Sequence, residues 1–121
     1  NKAEDDLKWT KHNLDGQIYY GACFTAHQAT EKALKGFLLY HNQKLRKVHD
    51  LLALFEDCVS VESSFEEFKS DIEILSRYYI TTRYPIYEDL VIFSKKDAED
   101  AYELAKKIID FIKENINTNS T

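Results

Sequence analysis

Glycine and proline are scarce in this chain: its 121 residues hold three of the first and one of the second. A fold of many short strands needs turn residues at every reversal, so this scarcity excludes most all-β architectures and favours long helices. No apolar run approaches the roughly 18 residues that a membrane-spanning helix requires, and no signal-peptide pattern opens the chain. Methionine is absent, and the chain begins at Asn1, so a few residues are expected to precede it. Two cysteines, Cys23 and Cys58, stand alone in apolar surroundings. They read as buried free thiols rather than a disulfide, which suits a cytoplasmic protein. Glycine-rich phosphate loops and the Gly-x-Ser-x-Gly elbow are both missing. Glu-x-x-His is missing too, and with it the paired motif of di-metal carboxylate bundles. No metal and no cofactor are therefore expected.

What is present describes a single globular domain. Hydrophobic residues make up 44% and charged residues 31%, with seven Phe, eight Tyr and one Trp to supply core volume. Residues 19–41 form the stretch around which the rest is organised. Tyr19, Ala22, Ala26, Ala29, Ala33, Phe37 and Tyr40 recur every three or four residues, placing them on one helix face. Alanines in such a stripe let neighbouring helices approach closely, and Gly36 lies near the same face. Cys23, Phe24, Leu34 and Leu38 widen the apolar surface, so this helix is expected to be central and contacted on several sides.

The other elements follow in order. Residues 3–14 predict a first helix, closed by Asp15-Gly16 because glycine readily adopts the left-handed conformation. Asp50 or His49 would cap a third helix carrying Leu51, Leu54, Phe55 and Cys58. Ser64 with Glu67 matches a capping box and opens a fourth helix through Phe65, Phe68, Ile72, Leu75 and Tyr79, ending near Ile80. Residues 81–93 read as an ordered irregular loop, since Pro85 pushes Tyr84 out of the helical region. Ser94 with Asp97 caps a last helix whose stripe is Ala98, Ala101, Tyr102, Ala105, Ile108, Ile109 and Ile112. The result is an all-α fold, an antiparallel up-and-down helical bundle of four main helices plus a short extra helix. The domain is expected to span residues 1–116, with 117–121 as a frayed tail.

The net charge of −5 excludes nucleic-acid binding over the whole surface. Residues 32–49 nevertheless hold Lys32, Lys35, Lys44, Arg46 and Lys47 without one acid. That run is either a solvated helix end and loop or an anion-binding patch. His27 and Glu31 lie four apart on one helix face and read as a polar pair at a helix surface or partner interface, since two ligands do not make a metal site. Glu31 and Lys35 are spaced for an i, i+4 ion pair.

Three segments carry a family resemblance: AHQATEKALKG at 26–36, VHDLL at 48–52 and YITTRYP at 79–85. In this order they resemble the HEPN domain family over nearly the whole chain. The resemblance implies a bundle that pairs as a homodimer. It draws together Lys35, Arg46, His49, Asp50, Tyr79, Arg83 and Tyr84 as a nucleotide- or phosphate-binding cluster. Arginine forks suit phosphate and tyrosine rings suit bases, while a structural reading, with Arg83 bridging helix carboxylates or carbonyls, stays open beside it. The ribonucleolytic branch of that family uses an arginine followed four to six residues later by a histidine. No histidine follows Arg77 or Arg83 here, and Arg46 and His49 are three apart. The expectation is therefore a noncatalytic module, possessing no catalytic residues, that binds a nucleotide or RNA. Its expected protein partner is a minimal nucleotidyltransferase, in a toxin–antitoxin-like pair. An atypical metal-independent ribonuclease is the alternative.

Overall fold

A computed structural model of the chain describes residues 1–46, 50–83 and 93–119. Among these, five α-helices and one 3₁₀ segment account for the architecture, with no strand. They are α1 (Lys2–Asp15), α2 (Tyr19–Tyr40), α3 (Leu51–Val61), the 3₁₀ segment Ser63–Phe68, α4 (Lys69–Arg83) and α5 (Lys95–Asn119).

Helix α2 is the hub and packs against all four other α-helices. Its small-residue face is responsible: Ala22, Ala26, Ala29 and Ala33 are buried, with Cys23, Leu34, Phe37 and Leu38 beside them. On α5, Ala98, Ala101, Ala105 and Ile108 are fully buried, so two small-residue stripes serve a pair of helices that lie in contact. Contacts along the bundle fix the directions. Thr10 of α1 donates its hydroxyl to Thr25 Oγ1 of α2 at 2.8 Å, and Asp6 meets Lys32 at 2.6 Å, so α1 and α2 run antiparallel. Tyr20 lies beside Phe93 just before α5, while the Tyr40 hydroxyl donates to the Ile116 carbonyl at 3.4 Å. Helices α2 and α5 are therefore parallel. Asp71 pairs with Lys107 at 3.2 Å and Glu4 with Lys113 at 3.6 Å, which sets α4 and α1 antiparallel to α5. Consecutive long helices alternate, and α2 and α5 share the interior.

One end is closed by aromatic edges: Phe65 contacts Phe37 and Phe111, and Phe68 contacts Phe111, with centroids between 4.7 and 4.9 Å. Helix α3 is fastened to this region, where the Cys58 thiol donates to the Leu34 carbonyl at 3.7 Å.

Several local expectations are corrected. Gly16 has φ −83°, and the left-handed residue is Gln17, at φ 63°. Backbone N–H groups of Gln17 and Ile18 donate to Leu14 and Asn13 carbonyls, the double bond of a Schellman ending displaced by one residue. Asn42, at φ 59°, closes α2 the same way through Asn42 and Gln43. The Ser64–Glu67 box does not form. Glu62 caps this turn instead, accepting from Ser64 N–H and hydroxyl at 3.4 and 2.9 Å, because the chain enters through a 3₁₀ segment rather than directly into an α-helix. Helix α4 continues through Arg83, so residues 81–83 are helical rather than loop; residues 84–92 of the expected loop lie outside the described residues. At α5 the capping box is complete, with Ser94 N–H to Asp97 and Asp97 N–H to Ser94 Oγ both at 3.0 Å. A Cβ on Gly36 would meet nothing within 4 Å; this glycine faces open space, not a packed neighbour.

Candidate functional site

The first notable polar feature is a row on the inward side of α2. His27 is 1% exposed and Glu31 7%, and Lys35 follows one turn later, half-buried. These positions continue the i, i+4 line from Cys23, so the helical period that buries the thiol also carries a histidine and a carboxylate into the bundle. An ionised carboxylate tolerates such a place only with a partner. Lys35 provides one, its Nζ 3.0 Å from Glu31 Oε2. The expectation of a polar pair at the helix surface is thus corrected: His27 and Glu31 are interior. Their signal in the sequence is position, one and two turns after the buried Cys23 on the same face.

The second feature surrounds the start of α3. Asp50 caps the helix, accepting from the Leu52 N–H at 3.0 Å. Arg46 folds back onto the same helix. Its Nε and Nη2 both donate to the Asp57 carboxylate at 3.0 Å, and Nη2 also donates to the Ala53 carbonyl at 3.0 Å. This is the forked geometry with which arginine recognises carboxylate or phosphate; here the fork is occupied by Asp57, a residue the sequence did not single out. Lys32 is held by Asp6 and Lys35 by Glu31. The acid-free run of residues 32–49 is therefore not acid-free in space, since acids from α1, α2 and α3 fold against it.

Of the other candidates, Tyr79 and Arg83 belong to the last turns of α4, with Arg83 its final residue. His49 and Tyr84 lie outside the described residues. The structure brings Arg46 and Asp50 to one helix end and leaves Lys35 on α2, which packs against that helix. Both thiols are fully buried and pushed up to about 12 by burial, with Asp97 adding to the effect on Cys23 and Asp57 on Cys58. Neither has the lowered pKa of an activated nucleophile. Tyr78 of α4 is likewise pushed up to about 12, chiefly by burial, with Cys23 and two α5 carboxylates assisting and Arg77 opposing. Among the described residues, no three His, Cys, Asp or Glu side chains gather as a metal site, and no helix is long and apolar enough to cross a membrane.

The chain is thus a helical bundle built around one alanine-rich helix, α2, with His27 and Glu31 in its interior. The family model for the HEPN domain matches residues 1–116, and the chain belongs to that family. It is similar to the protein named Putative toxin MJ1304 of Methanocaldococcus jannaschii, at 26% identity, covering 93% of this chain and 82% of that protein. Two crystal structures share its fold. ST0689, an archaeal HEPN homologue, has a TM-score of 0.70 at 24% identity, covering 95% of this chain and 92% of its own. TT1696 from Thermus thermophilus has a TM-score of 0.65 at 35% identity, covering 94% and 98% respectively.

Proposed function

We propose that this chain is a noncatalytic HEPN module that binds nucleotide or RNA phosphate as a homodimer, alongside a minimal nucleotidyltransferase in a toxin–antitoxin-like pair. The observation that carries the reading is membership of the HEPN family over residues 1–116, reinforced by likeness to a protein named as a toxin. Arg83, the last residue of α4, is the principal phosphate ligand in this proposal, with Lys35, Arg46, His49, Asp50, Tyr79 and Tyr84 as its companions. Asp50 serves by ordering the start of α3 rather than by touching an anion. Arg46 reaches phosphate only by exchanging Asp57 for it, so its contribution is conditional. The missing histidine after Arg77 and Arg83 supports binding without cleavage, because a metal-independent ribonuclease needs a group to move a proton beside the cation that holds the phosphate.

Isothermal titration with ATP, GTP and a short single-stranded RNA at low and moderate salt tests this. Binding should weaken steeply with salt as counterions are released, and Arg83→Ala should reduce it more than Lys44→Ala. The absence of salt-sensitive binding to all three would overturn the proposal. Metal-independent cleavage of the RNA, lost in Arg83→Ala, would establish the atypical ribonuclease instead.

A further inference from the structure

Arg46 sets Nε and Nη2 against the two carboxylate oxygens of Asp57, each at 3.0 Å. A third bond runs from Nη2 to the Ala53 carbonyl, also at 3.0 Å. Surface lysine pairs such as Lys106–Asp110 hold through one nitrogen at the tip of a flexible stem. The Arg46 contact is two-pronged, and a phosphate group offers such a fork the same paired oxygens that a carboxylate does. Asp57 therefore stands where Arg46 would hold a phosphate.

The carboxylate is held loosely enough to leave. The Arg46 side chain is 51% exposed and that of Asp57 33%. Ion pairs in such contact with water are weak, because solvent screens them and two side chains must be ordered. The bond to Ala53 does not involve Asp57, so the guanidinium stays tied to α3 when the carboxylate swings away. Asp57 is also tethered to the same chain as the arginine, and so competes at an effective concentration that a free anion must overcome. Such competition takes the same factor from every phosphate ligand of the fork. Weak ligands drop out of range, and tight ones exchange with the carboxylate.

We propose that the Arg46–Asp57 pair is an autoinhibitory contact, in which Asp57 fills the phosphate-holding fork of Arg46 until a phosphate displaces it. The inference rests on the proposed phosphate binding and assigns that site its regulation. Asp57→Asn keeps the shape of the side chain and removes its charge. Isothermal titration of the full chain with ATP and a short single-stranded RNA should show binding about threefold to fivefold tighter in Asp57→Asn than in the unaltered chain. Glu56→Gln makes the same change in net charge at an exposed neighbouring position and should give little of that gain. Arg46→Ala should cost more affinity in the Asp57→Asn background than in the unaltered chain, the coupling that a double-mutant cycle reads. Circular dichroism melts should confirm that every variant remains folded.

A gain in Asp57→Asn no larger than in Glu56→Gln, or one that persists without Arg46, would overturn the inference and leave the proposed phosphate binding in place. Absence of binding in both the unaltered chain and Asp57→Asn would overturn the two together. Binding that appears only in Asp57→Asn, and only while Arg46 is present, would uphold the autoinhibition and overturn the binding proposed for the unaltered chain.

Discussion

Cys23 and Cys58 have no exposed surface, and that fact fixes how the chain should respond to alkali. Burial is the larger cause that pushes each thiol from the ordinary 9.0 up to about 12, with a nearby aspartate adding to it. Below pH 9 the thiols are neutral in both the folded and unfolded chain, and their contribution to stability is fully present. Between pH 9 and 12 the unfolded chain releases these protons while the folded chain retains them, so stability falls as pH rises across that window. Denaturation midpoints measured from pH 7 to 11 should decline above pH 9, and Cys23→Ala should flatten the decline relative to its own value at pH 7. An unchanged slope in that variant would show that the thiol is not held neutral by the fold. The same burial keeps both thiols slow towards alkylating reagents in the native state, with the Cys58 proton further engaged by the Leu34 carbonyl.

Among the elements, α2 and α5 show what periodicity can deliver and where it stops. The alanine stripe of α2 and the Ala98–Ala101–Ala105 stripe of α5 follow directly from three- and four-residue spacing, and all seven alanines are interior. Close helix contact leaves no room for a longer side chain at Ala29. Ala29→Leu should therefore cost about 1–3 kcal/mol of stability, against a change within about 0.5 kcal/mol for the exposed Lys44→Ala. Ala33→Leu should fall between them, because Ala33 borders a groove beside α5 and a longer side chain has space on one side. Urea denaturation of the three variants checks the order; equal midpoints would mean that the alanine face of α2 is not tightly packed.

Other local features were less legible. Ser64 and Ser94 present nearly the same capping pattern, yet only Ser94 forms the box, since residue 64 enters a 3₁₀ segment capped by Glu62. The Asp15-Gly16 signal marked the right turn and missed the left-handed residue by one, because the Schellman bonds from Gln17 and Ile18 determine which position reverses. In the candidate site, the Glu31–Lys35 pair could be placed from spacing alone, whereas spacing left the cap of α3 between Asp50 and His49, and the structure gives it to Asp50. The locking of Arg46 by Asp57 spans 11 positions, and such a pair leaves no local pattern.

At the scale of the whole molecule, the bundle leaves large apolar side chains in water at more than one place. Trp9 on α1 is 59% exposed and Ile18, at the corner between α1 and α2, is 55% exposed. Trp9 stands beside Asp5, Lys8 and His12, stacked edge-on to the His12 ring at 5.9 Å. Opposite charges, Asp5 and Lys8, accompany Trp9, so this face can meet its own copy without like-charge repulsion. A self-complementary patch of this kind suits a two-fold dimer, and tryptophan is among the residue types enriched at interface hot spots. The chain, of 14.2 kDa, should therefore scatter light with twice that mass at high micromolar concentration. The interface should bury more than roughly 1,000 Å² in total. Trp9→Asp should shift the equilibrium towards monomer, whereas Leu39→Asp should leave the dimer in place. A monomer mass for the unaltered chain at that concentration would remove the dimer. A dimer that survives Trp9→Asp but dissociates with Leu39→Asp would move the interface to the end of α2, where Leu39 is exposed.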